Sequence, residues 1–266
     1  MEIIIAPDAA GVATVAAGIV ADLVRTKPTA VLGLATGSSP LGLYAELAAR
    51  VAGGLDLTAV RAFALDEYVG LRPDDPRSYA HVIRTRVTEP LGLDPDNVHV
   101  PPGTGEAIVA ACRDYEDAIA AAGGIDLQVL GIGRNGHLGF NEPTSSFASR
   151  TRIAPLAAST RQDNARFFDR PEDVPVRCVT QGLGTIMEAR VALLIATGEA
   201  KAVAVANAVE GPVSMSCPAS ILQHHPHAVV IVDDAAAAGL RRTDCQLLSA
   251  PSPKRTFRLQ QSDFAR

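Results

Sequence analysis

Short β-branched or Leu-rich runs alternate with Ala-rich stretches along almost the whole chain, and this alternation limits the fold more than any other feature. The runs at 2–5, 30–35, 61–65, 126–131, 191–196 and 228–232 read as strands. Between them, apolar residues recur with helical spacing near 9–25, 40–52, 77–87, 104–122, 181–188 and 199–209. Strand–helix alternation of this kind builds βαβ units, because parallel neighbours need a crossover. The expected fold is therefore α/β: a single-domain, doubly wound and mostly parallel sheet with helices on both faces. At 266 residues the chain can bury a full core of that type. Two stretches break the pattern. Residues 145–180 are polar and Arg-rich around Phe167 and Phe168, as suits a mobile flap, and the tail from 241 onward is polar with Pro and Ser, as suits a peripheral segment.

Composition excludes several classes of function. Aromatic residues make up 4% of the chain, Trp is absent and the net charge is −5. There is thus no stacking platform or basic surface for nucleic acid. No apolar run approaches the roughly 20 residues that span a bilayer. The start of the chain is acidic and leads directly into a strand, unlike a signal peptide. Cys112, Cys178, Cys217 and Cys245 are scattered without a CxxC, as expected of reduced thiols in a cytoplasmic protein. His224, His225 and His227 form an HHxH cluster, but no Cys or carboxylate ligand stands near it, so no metal is expected.

Three segments carry chemistry, each directly after a strand. GIGRNGHLGFNEP, residues 131–143, gathers four glycines with His137, Glu142 and two carboxamides. Its position outside the carboxyl end of a strand is where open α/β sheets bind ligands. LATGSSP, residues 34–40, offers Thr36, Gly37, Ser38 and Ser39 ahead of a helix whose first position Pro40 fits. Free N–H groups there suit a phosphate, whereas the plain alternative is N-capping by Ser38 or Ser39. No Gly-Lys-Ser/Thr follows, so this is not a nucleoside-triphosphate loop. LDEYVGL, residues 65–71, places Asp66 where a partly desolvated carboxylate can act as a base. Arg166 and Lys201 are candidate cations for an anion site, although most such residues are simply solvated.

These segments, with TRQDNARFF, QGLGTIMEA, ATGEAKA and EGPVSMSCPASILQHHPHA in that order and spacing, resemble the glucosamine-6-phosphate deaminase/isomerase family. The likeness covers roughly residues 1–235. It implies a modified Rossmann-like fold with a lid segment, and an enzyme without cofactor or metal that converts glucosamine 6-phosphate and water to fructose 6-phosphate and ammonia. By the resemblance, Asp66 moves a proton between C2 and C1, His137 serves ring opening, and Glu142 holds and polarises that histidine. Thr36, Gly37, Ser38, Ser39, Arg166 and Lys201 would grip the phosphate, and Phe168 would lie in a lid over about 150–181. The partner implied is a small sugar phosphate, and a homo-oligomer is left open.

The chain departs from the family pattern at two places. Asn135 stands where the pattern has an aspartate beside His137. A neutral amide does less than a carboxylate to favour imidazolium and can select the wrong tautomer. Members activated by N-acetylglucosamine 6-phosphate use a lysine, a threonine and a C-terminal tyrosine; here Ala154 and Pro155 follow Arg152 and Ile153, and the tail has no tyrosine. The unusual tail also argues against the family's hexamer. The alternatives are a related isomerase or lactonase acting on another substrate, or a catalytically weakened sugar-phosphate-binding protein.

Overall fold

Eight strands, β1 (Glu2–Ala6), β2 (Val31–Leu34), β3 (Arg61–Ala64), β5 (Val98–His99), β6 (Leu127–Leu130), β9 (Val191–Ala196), β10 (Ala228–Asp233) and β11 (Leu247–Ser249), form one sheet. In this computed structural model the described residues are 1–241 and the backbone of 247–249. The strand order is β11-β1-β10-β9-β6-β2-β3-β5, and every pair is parallel. All six residues of β9 (VALLIA) and all six of β10 are buried. Continuous burial is what a parallel sheet covered on both faces requires. The helices are α1 (Ala9–Thr26), α2 (Ser38–Ala52), α3 (Tyr79–Ile83), α4 (Glu89–Leu91), α5 (Ile108–Ala121), α6 (Ala158–Asn164), α7 (Leu183–Met187), α8 (Ala202–Val209) and α9 (Asp234–Ala237). The doubly wound α/β class expected from the sequence is the class observed.

Length and composition would let α1 cross a bilayer, contrary to the reading that no such run exists. Here it is a core helix: Val12, Ala16, Ile19, Val20 and Leu23 are buried in the main core. It starts at Asp8, whose carboxylate accepts from the Gly11 N–H at 2.8 Å. Asp126, just before β6 at the amino end of the strand and so away from the chemistry-bearing loops, is buried. It accepts from the Val31 N–H and pairs with Lys27 at 2.8 Å and Arg190 at 3.2 Å.

A second, small sheet departs from the sequence expectation. β4 (Asp66–Tyr68), β8 (Arg177–Thr180) and β7 (Arg152–Pro155) pair antiparallel, with Asp66 opposite Thr180 and Arg152 opposite Thr180 on the other side. The chain passes between the two sheets at Leu65. Its N–H bonds back to Leu34 O in the main sheet, while its carbonyl accepts from Gln181 N. Tyr68, Phe140, Ala154, Leu156, Phe168, Val174 and Cys178 form a separate small core beneath this sheet. The polar 145–180 stretch is therefore anchored at its base rather than loose throughout. The expectation of a peripheral tail falls on residues outside those described, except that Leu247–Ser249 adds an edge strand parallel to β1.

Candidate active site

Sheet order fixes where a ligand can bind. From β2 the chain proceeds outward to β3 and β5, then returns to lay β6 on the other side of β2 and continues to β9 and β10. The loops after β2 and β6 therefore diverge, and the crevice between them is the ligand site of an open α/β sheet. A cleft of about 380 Å³ lies there. Its walls include Thr36, Gly37, Ser38 and Ser39 after β2, Asp66 after β3, Gly133, Arg134 and His137 after β6, and Lys201 after β9. Arg166 lines it as well. Residues from five separate stretches of the sequence thus converge.

The helix start at LATGSSP differs in detail from the sequence reading. α2 begins at Ser38, two residues before Pro40, after Gly37 with φ of 99°. No side chain caps it, so neither Ser38 nor Ser39 is the N-cap of the plain alternative. An uncapped first turn at the cleft wall leaves oriented N–H groups available to an anion. Lys201 Nζ donates to the Ile132 carbonyl at 2.7 Å, which holds the ammonium against the loop after β6. Burial pushes this ammonium down from its ordinary range, opposed by the charge of Asp163 and reinforced by those of Arg166 and Arg134. The exposed Arg166 guanidinium lies over the Phe167 ring at 4.7 Å.

Asp66 is 5% exposed. Burial, and secondarily the neighbouring Glu67 charge, lifts its carboxyl well above the usual carboxylate range. Glu67 points to different work. Its oxygens accept from the N–H groups of Tyr68, Tyr79 and Ala80 at 2.7, 2.9 and 2.8 Å, which fixes the start of α3. The paired acids of LDEYVGL therefore divide into a cleft carboxylate and a structural one. Gly139 lets the loop after β6 pass beside them: a Cβ there would stand 2.9 Å from Thr180 Oγ1 and 3.3 Å from Asp66 Oδ2.

His137 is held by a chain of three side chains. Its Nδ1 lies 2.7 Å from Asn135 Oδ1, which also accepts from the His137 N–H at 3.2 Å. Asn135 Nδ2 donates to Glu142 Oε2 at 2.8 Å, and Oε2 is 3.6 Å from His137 Nδ1. Burial alone would raise the Glu142 carboxyl. Hydrogen bonds from His137, Thr160 and Asn135, with the His137 charge, bring it instead to about 2. An ionised Glu142 only accepts, so the Asn135 amide must turn its NH₂ toward it and its oxygen toward the ring. The proton of a neutral His137 is then on Nδ1, and Nε2 carries the lone pair. The expected loss of tautomer control at Asn135 is therefore not what the geometry gives: the amide relays the orientation set by Glu142. Gly133 makes room for the ring, since a Cβ there would stand 2.2 Å from His137 Cε1 and Nδ1.

Other expectations resolve differently. Phe168, placed by the sequence in a lid, does not line the cleft. At 9% exposure it packs edge-on to Tyr68 and under Arg77, whereas its neighbour Phe167 is 53% exposed. His225 is a core histidine, with Nε2 at 2.9 Å from Ala189 O and Nδ1 accepting from the His227 N–H at 3.1 Å. Among the described residues no cluster of His, Cys, Asp and Glu could hold a metal. Sequence reasoning missed Asn141. It is fully buried, donates to Leu138 O and Gln181 O, and accepts from Arg152. The string FNEP was the available signal for it.

A doubly wound sheet with a carboxylate, an oriented imidazole and a cation-lined helix start at its switch point defines an α/β enzyme acting on a small anionic substrate. Residues 8–231 match the model of the family described as Glucosamine-6-phosphate isomerases/6-phosphogluconolactonase, and the chain belongs to that family. It is 58% identical over 244 residues to a glucosamine-6-phosphate deaminase of Pseudarthrobacter chlorophenolicus, covering 92% of this chain and 94% of the relative. It is 59% identical over 241 residues to that of Cutibacterium acnes, covering 90% and 92%. Among solved structures, a monomeric glucosamine-6-phosphate deaminase superposes with a TM-score of 0.87 at 39% identity, covering 90% of this chain and 100% of that one. A 6-phosphogluconolactonase from Trypanosoma brucei superposes with a TM-score of 0.74 at 19% identity over 90% and 98%, a likeness of fold alone.

Proposed function

We infer that the protein is a glucosamine-6-phosphate deaminase, opening the sugar ring and moving a proton from C2 to C1 to give fructose 6-phosphate and ammonia. The observation that carries this reading is the convergence, in one cleft, of a buried carboxylate, an imidazole with Nε2 free and a cation-lined helix start. His137 Nε2 would move the proton between the ring oxygen and the C1 hydroxyl as the ring opens. The C1 carbonyl so formed acidifies the C2–H bond, and Asp66 takes that proton and returns it at C1. The imine left at C2 adds water and expels ammonia, which balances the reaction without an oxidant. Thr36, Gly37, Ser38, Ser39, Arg166 and Lys201 would hold the phosphate, whose binding energy orients the reacting carbons. Residues of about 150–181 would form a lid rooted in the small sheet. The free thiols of Cys112, Cys178 and Cys217 fit a cytoplasmic enzyme.

Ammonia release from glucosamine 6-phosphate, without added metal or nucleotide, tests the assignment. Hydrolysis of 6-phosphogluconolactone with no ammonia from the amino sugar would replace it with the lactonase reading.

N-acetylglucosamine 6-phosphate is not expected to activate the enzyme. Arg152 is already engaged, donating to Asn141 Oδ1 at 2.8 Å and Ser145 Oγ at 3.2 Å. Ala154 and Pro155 add no charge-assisted hydrogen bond for an effector phosphate. Substrate saturation curves with and without the effector should coincide, and a sigmoidal curve made hyperbolic by it would contradict this.

A further inference from the structure

The phosphate assignment leaves one feature of the cleft unexplained. Beside Lys201 and Arg166 stand a third cation, Arg134, and a second carboxylate of the cleft, Asp163, and all four line it. Arg134 belongs to the loop after β6 and Asp163 to α6, so the pair ties the two walls together. Their contact is loose: Arg134 Nη1 lies 3.5 Å from Asp163 Oδ1, with the side chains 64% and 41% exposed. A pair this exposed contributes little to stability, which leaves the arrangement without a structural purpose of its own. Both residues also line an adjoining cavity of about 250 Å³ that shares His137 and Thr160 with the cleft. A carboxylate leaving Arg134 therefore has space to enter.

We propose that Arg134 is a further phosphate-binding residue and that Asp163 is its built-in competitor, holding the guanidinium in the empty cleft and yielding it to the substrate phosphate. This rests on the sugar-phosphate reading above and extends it to two residues that reading does not use. Three cations beside Asp163, with Asp66 the buried carboxylate of the same cleft, leave an excess that suits a phosphate monoester dianion. With Asp163 bound to Arg134, a weakly charged or non-phosphorylated sugar gains too little to displace it. A dianion gains a fork of charge-assisted hydrogen bonds. The pair thereby sets selectivity for the doubly charged ligand.

The proposal predicts effects of opposite sign from the two halves of one ion pair. Inorganic phosphate is the probe, measured by calorimetric titration and as a competitive inhibitor of ammonia release. Arg134→Gln should weaken phosphate binding about 5- to 10-fold, whereas Asp163→Asn should tighten it about 3-fold, and both effects should shrink at high salt. KM for glucosamine 6-phosphate should move in the same two directions with smaller changes in kcat. If the pair were merely structural, both substitutions would loosen the same contact and weaken binding alike. Weakening by both variants, or no change by either, overturns the proposal. Calorimetry does not depend on turnover, so the two readings fail separately. Opposite-signed titrations without ammonia release would overturn the deaminase assignment alone, and ammonia release with same-signed titrations would overturn this proposal alone.

Discussion

Asp66→Asn is expected to lower kcat by about a thousand-fold or more, the range for loss of a positioned proton-transfer base. The amide is nearly isosteric, so phosphate affinity should change little, and exchange of the C2 proton with solvent deuterium should vanish. Unchanged deuterium incorporation in the variant would remove Asp66 from the mechanism. Burial and the Glu67 charge hold the Asp66 carboxyl well above the usual range, and a base must be ionised to act. The acid limb of the wild-type rate profile should accordingly lie above ordinary carboxylate pH, with activity rising as pH rises through it. The same shift predicts the stability effect. A carboxyl raised by folding contributes stability that is complete below its unfolded value and lost as pH rises through the folded one. Asn carries no such ionisation cost. At neutral pH the inactive variant should therefore melt higher than the wild type, and the two should converge in acid. A lower melting temperature at neutral pH would contradict the burial argument.

The main sheet was legible because parallel strands buried on both faces are continuous apolar runs; VALLIA at β9 cannot be satisfied at a surface. The small sheet was not. Its strands, DEY, RIAP and RCVT, are three or four residues long and carry no alternation. They exist because Asp66 and Thr180, 114 positions apart, meet where the chain leaves the main sheet at Leu65. That meeting also decided Phe168. A phenylalanine within a polar stretch reads as a flap residue, but the new core under Tyr68 claims it and leaves Phe167 outside. The site was readable to the extent that it follows strand ends. Thr36, Asp66, His137 and Lys201 each lie just beyond a main-sheet strand, and sheet order then brings them to one crevice. What spacing could not reveal was direction: which acid of Asp66 and Glu67 faces the cleft, and which end of the Asn135 amide faces the histidine.

That last ambiguity is settled by Glu142, so Glu142→Gln is the second substitution expected to act strongly. Ionised Glu142 can only accept, and it fixes Asn135 with its NH₂ toward the carboxylate and its oxygen toward His137 Nδ1. A glutamine can donate as well, so that only the 3.2 Å bond from the His137 N–H still holds the amide oxygen in place and the Asn135 amide can turn over to present its NH₂ to the ring. The imidazole proton then moves to Nε2, the nitrogen the reaction needs free. Loss of an orienting carboxylate with this consequence costs up to about 10⁴-fold in the catalytic triad of serine proteases. Here the carboxylate acts through an intervening amide, and a loss of about 100-fold is expected. The loss should be confined to ring opening, severe with cyclic glucosamine 6-phosphate and slight with an open-chain analogue. Equal losses with both would show that Glu142 merely supports the fold. Stability supplies an independent readout. Because folding depresses this carboxyl to about 2, it contributes stability that is present above the unfolded value and lost as pH falls through the folded one. The deficit of the Gln variant should be full at neutral pH and close as pH falls from about 4.5 toward 2. Asn135→Asp separates the relay from its source. It leaves Glu142 in place and sets a second carboxylate beside it, so its effect on the cyclic substrate should differ from that of Glu142→Gln. If the two variants match in size and substrate dependence, the Asn135 amide is not carrying the orientation.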